Sequence, residues 1–140
     1  MRAVDTNVLV YAHREETQHH QVAAQVLTSL AEGRAPWGLP VFVLAEFVRI
    51  VTHPRVFSPP STLEESHAFI DALLESPGVR LLLPDDAFWS RYRATGLDGR
   101  ATGNLAFDAQ IAAICETTGA VLVTADRDFG RFTIPVEFLA

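Results

Sequence analysis

The sequence predicts an α/β fold: a mainly parallel sheet covered by helices on both faces. Three observations carry this expectation. Short apolar runs alternate with helical stretches along the chain. The strands are short and fall between helices, which implies a parallel sheet covered on both faces. Caps, glycines and prolines punctuate the stretches between them.

Taken in order, Arg2–Val4 reads as a short buried strand running into Asp5, and Asn7–Ala12 as the first helical turns. His19–Glu32 places Val22, Val26, Leu27 and Leu30 at helical spacing, with Gly33 ending the helix and Pro36 preventing its resumption. Trp37–Leu39 is a second short strand. Val41–Thr52 is apolar on nearly every face and long enough to favour helix over strand, so a fully buried helix is expected. Pro54, Pro59 and Pro60 mark a loop. Ser61 or Thr62, with Glu64 or Glu65 three residues on, forms a capping box for a helix showing Leu63, Ile70, Leu73 and Leu74 on one side. Pro77-Gly78 ends it, and Val79–Leu83 is a strand. Asp85 or Asp86 is expected to cap a helix through Ala94, closed by Gly96, with a polar loop over Gly96–Gly103. Ala106–Thr118 is a helix ended by Gly119, Val121–Thr124 a strand, and Ile134–Phe138 a last edge strand.

A length of 140 residues suits one domain over 1–140. The hydrophobic fraction of 49% and charged fraction of 20% are ordinary for a globular chain. Cys115 is the only cysteine, so no internal disulfide can form; a buried, reduced thiol and a cytoplasmic setting are expected. The first apolar run is broken by Asp5 and Asn7, which excludes a signal peptide or membrane span there. A net charge of −6 argues against nucleic-acid binding through bulk positive charge. All eleven basic residues are Arg. With no Lys present, a phosphorylated receiver domain that needs one after a late strand is disfavoured.

Four carboxylates fall at telling places. Asp5 and Asp126 follow strands, where sites of open α/β sheets form. Glu46 is the lone acid of an apolar helix, and a buried charge needs a partner or a metal. Asp108 lies in a first helical turn. Each has an ordinary alternative: a cap for Asp5, an ion pair with Arg49 for Glu46, the helix dipole for Asp108, a turn for Asp126. A hard cation gives all four one reason, since Mg2+ takes oxygen ligands and acts on phosphoryl oxygens. The five His residues form no zinc pattern.

The stretches VDTNVLVYA, LAEFVR around Glu46, GNLAFDAQIAA around Asp108 and VLVTADRDF around Asp126 occur in an order that resembles the PIN-domain nucleases, and among them the VapC-type toxins of toxin–antitoxin pairs. The resemblance covers the whole chain. It implies a PIN-like three-layer α/β/α sandwich with a parallel sheet of about five strands. It maps the acidic site onto Asp5, Glu46, Asp108 and Asp126, with Asp128 accessory and Thr6, Asn7 and Thr124 orienting the acids or metal waters. It implies RNA phosphodiester hydrolysis with Mg2+, for which Mn2+ can substitute, a small VapB-type antitoxin as partner, and a homodimer. Phe42, Phe47, Phe57, Phe69 and Trp89 are more large groups than a small core is expected to hide, in keeping with such partners. Arg14, Arg49, Arg100 and Arg127, each near an acidic motif or the glycine loop, are candidates to meet RNA phosphates. Two other readings remain at this point: a haloacid-dehalogenase-like phosphatase, with Asn7 in place of the second acid of D-x-D, and a catalytically inactive RNA-binding or interaction module.

Overall fold

Arg2–Val4 forms a strand, β1, at the centre of a five-stranded sheet in the computed structural model, which describes residues Met1–Ala140. The chain continues through α1 (Thr6–His13), α2 (His20–Glu32), β2 (Trp37–Pro40), α3 (Phe42–Val51), α4 (Leu63–Leu74), β3 (Val79–Leu82), α5 (Phe88–Asp98), α6 (Leu105–Thr118), β4 (Val121–Thr124), a short 3-10 turn (Arg127–Arg131) and β5 (Val136–Phe138). The strand order is β3-β2-β1-β4-β5 and every pairing is parallel. This is the expected α/β/α sandwich.

The order also locates a crevice. From β1 the chain steps outward to β2 and β3, then returns across the sheet to β4 on the other side of β1. Right-handed crossovers then put the two sets of helices on opposite faces, so the connections leaving β1 and β4 diverge. Such a switch point opens a crevice beyond the carboxyl ends of the strands.

The core is built on both faces of β1, β2 and β4. Trp37, Leu39, Leu122 and Val123 from the strands pack with Leu9, Phe47, Ile111 and Phe129, all at most 2% exposed. Burial of this kind contributes about 25 cal/mol per Å2 of apolar surface removed from water. α4 begins at the capping box: Glu65 N donates to Thr62 Oγ1 at 3.0 Å, and Thr62 N donates to Glu65 Oε1 at 3.1 Å. α6 ends at Gly119, whose φ of +69° is the left-handed conformation that glycine adopts without a Cβ penalty.

Several expectations require correction. α3 is not buried all round: Val43, Phe47 and Val51 face the core, Ala45 and Arg49 are exposed, and Leu44 and Val48 open onto an apolar groove shared with Ile70 of α4. Its sequence is apolar beyond what the core uses. On α4 the buried stripe is Ser66, Ile70 and Leu73, while Leu63 and Leu74 lie outside it. α5 does not close at Gly96. One interior glycine costs only about 1 kcal/mol, and the helix runs to Asp98 and stops at Gly99, where a Cβ would overlap the Phe132 ring. The polar loop is therefore shorter than Gly96–Gly103. Asp85 accepts from Ala87 N at 3.0 Å in the turn before α5 rather than capping it. Of the five large groups expected to overflow the core, Phe47 is fully buried, Phe42, Phe57 and Phe69 pack against the core, and only Trp89 stands clear, 67% exposed. Cys115 is buried as expected, and burial pushes its thiol up to about 12. No helix is long and apolar enough to cross a membrane.

Candidate functional site

The crevice between β1 and β4 is where the acids meet. Val4 pairs with Val123, so Asp5 emerges beside Thr124, and Asp5 N donates to Val123 O at 3.0 Å. The Asp5 carboxylate accepts three hydrogen bonds: from Thr6 N at 2.7 Å on Oδ1, and from Asn7 Nδ2 at 3.0 Å and Thr124 Oγ1 at 2.7 Å on Oδ2. Asn7 Oδ1 in turn accepts from Ala125 N at 3.1 Å, and Thr124 Oγ1 accepts from Asp126 N at 3.0 Å. These bonds tie the ends of the two strands into one rigid unit. They also show that Asp5 caps α1 and faces the crevice at once; the ordinary and the chemical readings coincide. Asn7 is a strut whose amide is engaged at both ends, unlike the second acid of a D-x-D motif.

Glu46 arrives from α3 and Asp108 from the first turn of α6. Asp5, Thr6, Asn7, Glu46, Asp108 and Asp126 line one cavity of about 240 Å3. Glu46, Asp108 and Asp126 are shared with an adjoining open cleft of about 970 Å3, which also reaches Arg49, Phe107 and Asp128. Asp126 Oδ1 accepts from Asp128 N at 2.9 Å, and this turn folds Asp128 back. One carboxylate oxygen from each of Asp108, Asp126 and Asp128 lies within 4.8 Å of the others, a spacing one divalent cation could bridge.

Electrostatics register the crowding. Burial pushes the Asp5 carboxyl up to about 6 against the hydrogen bonds from Thr124 and Thr6, with Glu46 and Asp126 adding repulsion. Asp108 is pushed up to about 7, first by burial and then by Asp126, Asp5, Glu46 and Asp128. The three ion pairs of the protein, Arg2–Glu137, Arg14–Glu16 and Arg91–Glu116, involve none of these acids. Glu46 in particular does not pair with Arg49. Thr6 Oγ1 lies at the cavity, buried and with no hydrogen-bond partner. An all-oxygen donor set, uncompensated negative charge and an orphaned hydroxyl together fit a hard divalent cation with its waters.

The arginines separate. Arg14 is engaged structurally: it donates to Glu16, Ser61 Oγ and Pro59 O, and its guanidinium lies 4.4 Å from the Phe57 ring centroid. Arg127 stacks over Phe138 at 4.3 Å. Arg100 sits at φ +53° in the loop before α6. Arg49 alone of the four lines the cleft, exposed. Sequence reasoning missed the walls: Tyr11 and Phe57 beside the cavity, and Phe42, Asn104, Phe107 and Gln110 around the cleft. The signal available for Phe107 was its helical spacing from Asn104 and its place before Asp108.

A model of the PIN domain matches residues 2–134. The chain is 41% identical over 132 residues to the protein named Ribonuclease VapC43 of Mycobacterium tuberculosis, covering 94% of this chain and 90% of that one. It is 33% identical to Ribonuclease VapC31 of the same species, covering 94% and 93%. Among solved structures it superposes on VapBC2 from Rickettsia felis bound to a promoter DNA fragment, with TM-score 0.73, 21% identity, and 99% and 98% of the two chains covered. VapBC-1 from nontypeable Haemophilus influenzae gives TM-score 0.64 at 23% identity, covering 98% and 96%. These structures share the fold. The phosphatase and inactive-module alternatives find no support among these matches.

Proposed function

The chain belongs to the PIN-domain family, and from that premise we propose that it is a Mg2+-dependent endoribonuclease that hydrolyses RNA phosphodiester bonds as the toxin of a type II toxin–antitoxin pair. The observation that carries this reading is the meeting of Asp5, Glu46, Asp108 and Asp126 on one cavity with no cationic side chain paired to any of them. A bare acid cluster repels phosphate, so the site needs a cation before RNA can approach.

Asp5, Glu46, Asp108 and Asp126 would hold the ion, Mg2+ or Mn2+ in its place, with Asp128 accessory. When bound, the ion lowers the pKa of an attacking water and stabilises the departing oxyanion. The chain's own groups set up that chemistry. Thr6 N, Asn7 and Thr124 fix the Asp5 carboxylate by three donors. Burial and the neighbouring acids push Asp108 up to about 7, so this carboxyl gives up its proton less readily than a free one. Thr6 Oγ1 is free to take a hydrogen bond at the cavity. Arg49, lining the cleft, meets an RNA phosphate.

The relatives named as VapC ribonucleases, and the VapBC complexes that share the fold, support a small VapB-type antitoxin as partner; a homodimer as the working form rests on the family resemblance alone. The cytoplasm is the proposed setting. The test is direct. Purified protein incubated with labelled single-stranded RNA should cut it with Mg2+ and not with EDTA, and Asp126→Asn should cut nothing. Cutting that survives EDTA, or an Asp126→Asn variant as active as wild type, would overturn the assignment. Sequencing cellular 5′ ends after induction then identifies the RNA.

A further inference from the structure

We infer that the part of the open cleft lined by Phe42, Phe107, Asn104 and Gln110 is a nucleobase subsite, which takes an unpaired base of single-stranded RNA next to the phosphate to be cut. This rests on the ribonuclease reading above and adds how the substrate is held.

The lining of the cleft has two chemistries. One part is acidic, Glu46, Asp108, Asp126 and Asp128, with the Arg49 guanidinium beside it; the other is aromatic and amide, Phe42, Phe107, Asn104 and Gln110, with Ala45 and Leu105. A nucleotide has the same two parts. Its phosphate belongs at the acid-held cation and its base against rings and amides. An apolar protein segment laid in the same cleft would instead bury carboxylates without partners, at a heavy desolvation cost.

Phe107 is the central group. Asn104 stands at i to Phe107 (i+3) and Asp108 (i+4) at the head of α6, so the amide neighbours both, and ring and acid open onto the same cleft. The ring is 61% exposed. Single exposed apolar residues are common, but this one lines a cleft it shares with a second ring. Phe42 also lines the cleft and stacks on Phe88 at 5.3 Å. The row continues to Tyr92 at 5.9 Å and from there to Trp89 at 5.7 Å along α5. Aromatic faces of this kind hold unstacked bases without demanding a sequence. The amides supply what rings lack. Asn104 heads α6 without using its side chain as a cap, and Gln110 lies on the same cleft. Each carries a donor and an acceptor for a base edge. Double-stranded RNA keeps its bases stacked and offers no free face, so the subsite selects single strands.

The experiment compares wild type, Phe107→Ala, Phe107→Trp, Asn104→Ala and Gln110→Ala on short single-stranded RNAs with Mg2+. A set carries each base in turn at the positions flanking the cut, and one RNA carries 2-aminopurine there. Phe107→Ala should raise KM roughly 10-fold with kcat little changed and should lose the 2-aminopurine quenching seen with wild type. Phe107→Trp should restore both. Asn104→Ala and Gln110→Ala should flatten the base preference. Melting temperatures equal to wild type exclude misfolding as the cause, since these side chains lie on the surface of the cleft. If wild type cuts RNA but Phe107→Ala keeps its KM, quenching and base profile, the subsite is overturned while the ribonuclease reading stands. If the variants lose only the binding of a protein partner, the surface belongs to that partner and the subsite is again overturned. If wild type neither binds nor cuts RNA, both readings fall.

Discussion

Thr124 Oγ1 donates a 2.7 Å hydrogen bond to Asp5 Oδ2, joining residues 119 positions apart in the chain at the carboxyl ends of adjacent parallel strands. The same hydroxyl accepts from Asp126 N. One side chain therefore orients two of the acids.

Thr124→Val keeps the shape and removes that hydroxyl. Asp5 loses one of its three donors and Asp126 N its acceptor, a change worth about 1–3 kcal/mol where a group is left unmet. Urea unfolding in EDTA should show the loss. The Mg2+ concentration for half-maximal cleavage should rise about 10–100-fold, as for other groups that orient metal ligands. A variant with wild-type Mg2+ dependence would show that the hydroxyl plays no part in arranging the acids.

The acid cluster should make the metal-free protein less stable as pH rises. Asp5 and Asp108 have folded values of about 6 and about 7, above their ordinary value. A raised group favours the fold while protonated, so its contribution is full below about pH 4 and lost as pH rises through 6 and 7. Glu16 and Glu65 act in the opposite sense. Hydrogen bonds from Arg14 and from Thr62 N hold them low, and their contribution is lost as pH falls. The informative measurement is therefore the difference from Asp108→Asn. In EDTA at neutral pH this variant should melt above wild type, and the gap should close on acidification. Mg2+ at about 100 times its Kd should add roughly 2.7 kcal/mol to wild type and much less to the variant. A variant that melts below wild type in EDTA would mean that the acids are structural partners.

Phe47→Ala should cost about 3–5 kcal/mol, the range for emptying a fully buried aromatic position. Phe47 is 0% exposed and stacks on Phe69 at 5.2 Å, with His13 edge-on at 5.4 Å. Because Glu46 precedes it on α3, the loosened helix should also weaken Mg2+ binding. Phe47→Leu, which keeps most of the volume, should recover much of the loss in denaturant titrations.

Arg49→Ala should weaken RNA binding and reduce the slope of log K against log salt by about 0.7, the expected effect of losing one contact to a single-stranded phosphate. Arg14→Ala should act on stability instead, through its bonds to Ser61 and Pro59. An unchanged salt slope in Arg49→Ala would remove it from the RNA path.

How much of this was legible in the chain depends on whether the cause was local. The alternation of strands and helices, the Thr62–Glu65 capping box and the stop at Gly119 follow from neighbours a few residues apart, and sequence alone determined them. The positions of Asp5 and Asp126 at strand ends were also readable, because a strand that stops at an acid does so in one dimension. Gly96 misled because its helical cost is small, whereas at the real stop, Gly99, the need for glycine comes from the Phe132 ring, 33 positions later, which a Cβ would overlap. The apolar length of α3 could not reveal which of its faces would stay open, since that depends on where α4 packs. Arg14 and Arg49 are equally cationic in sequence; only the folded loop around Ser61 and Pro59 turns one into a brace and leaves the other on the cleft. Tertiary structure alone decided the strand order that sets β1 beside β4. That order brings Asp5, Asp108 and Asp126 close enough to repel, and so leaves the crevice with uncompensated negative charge.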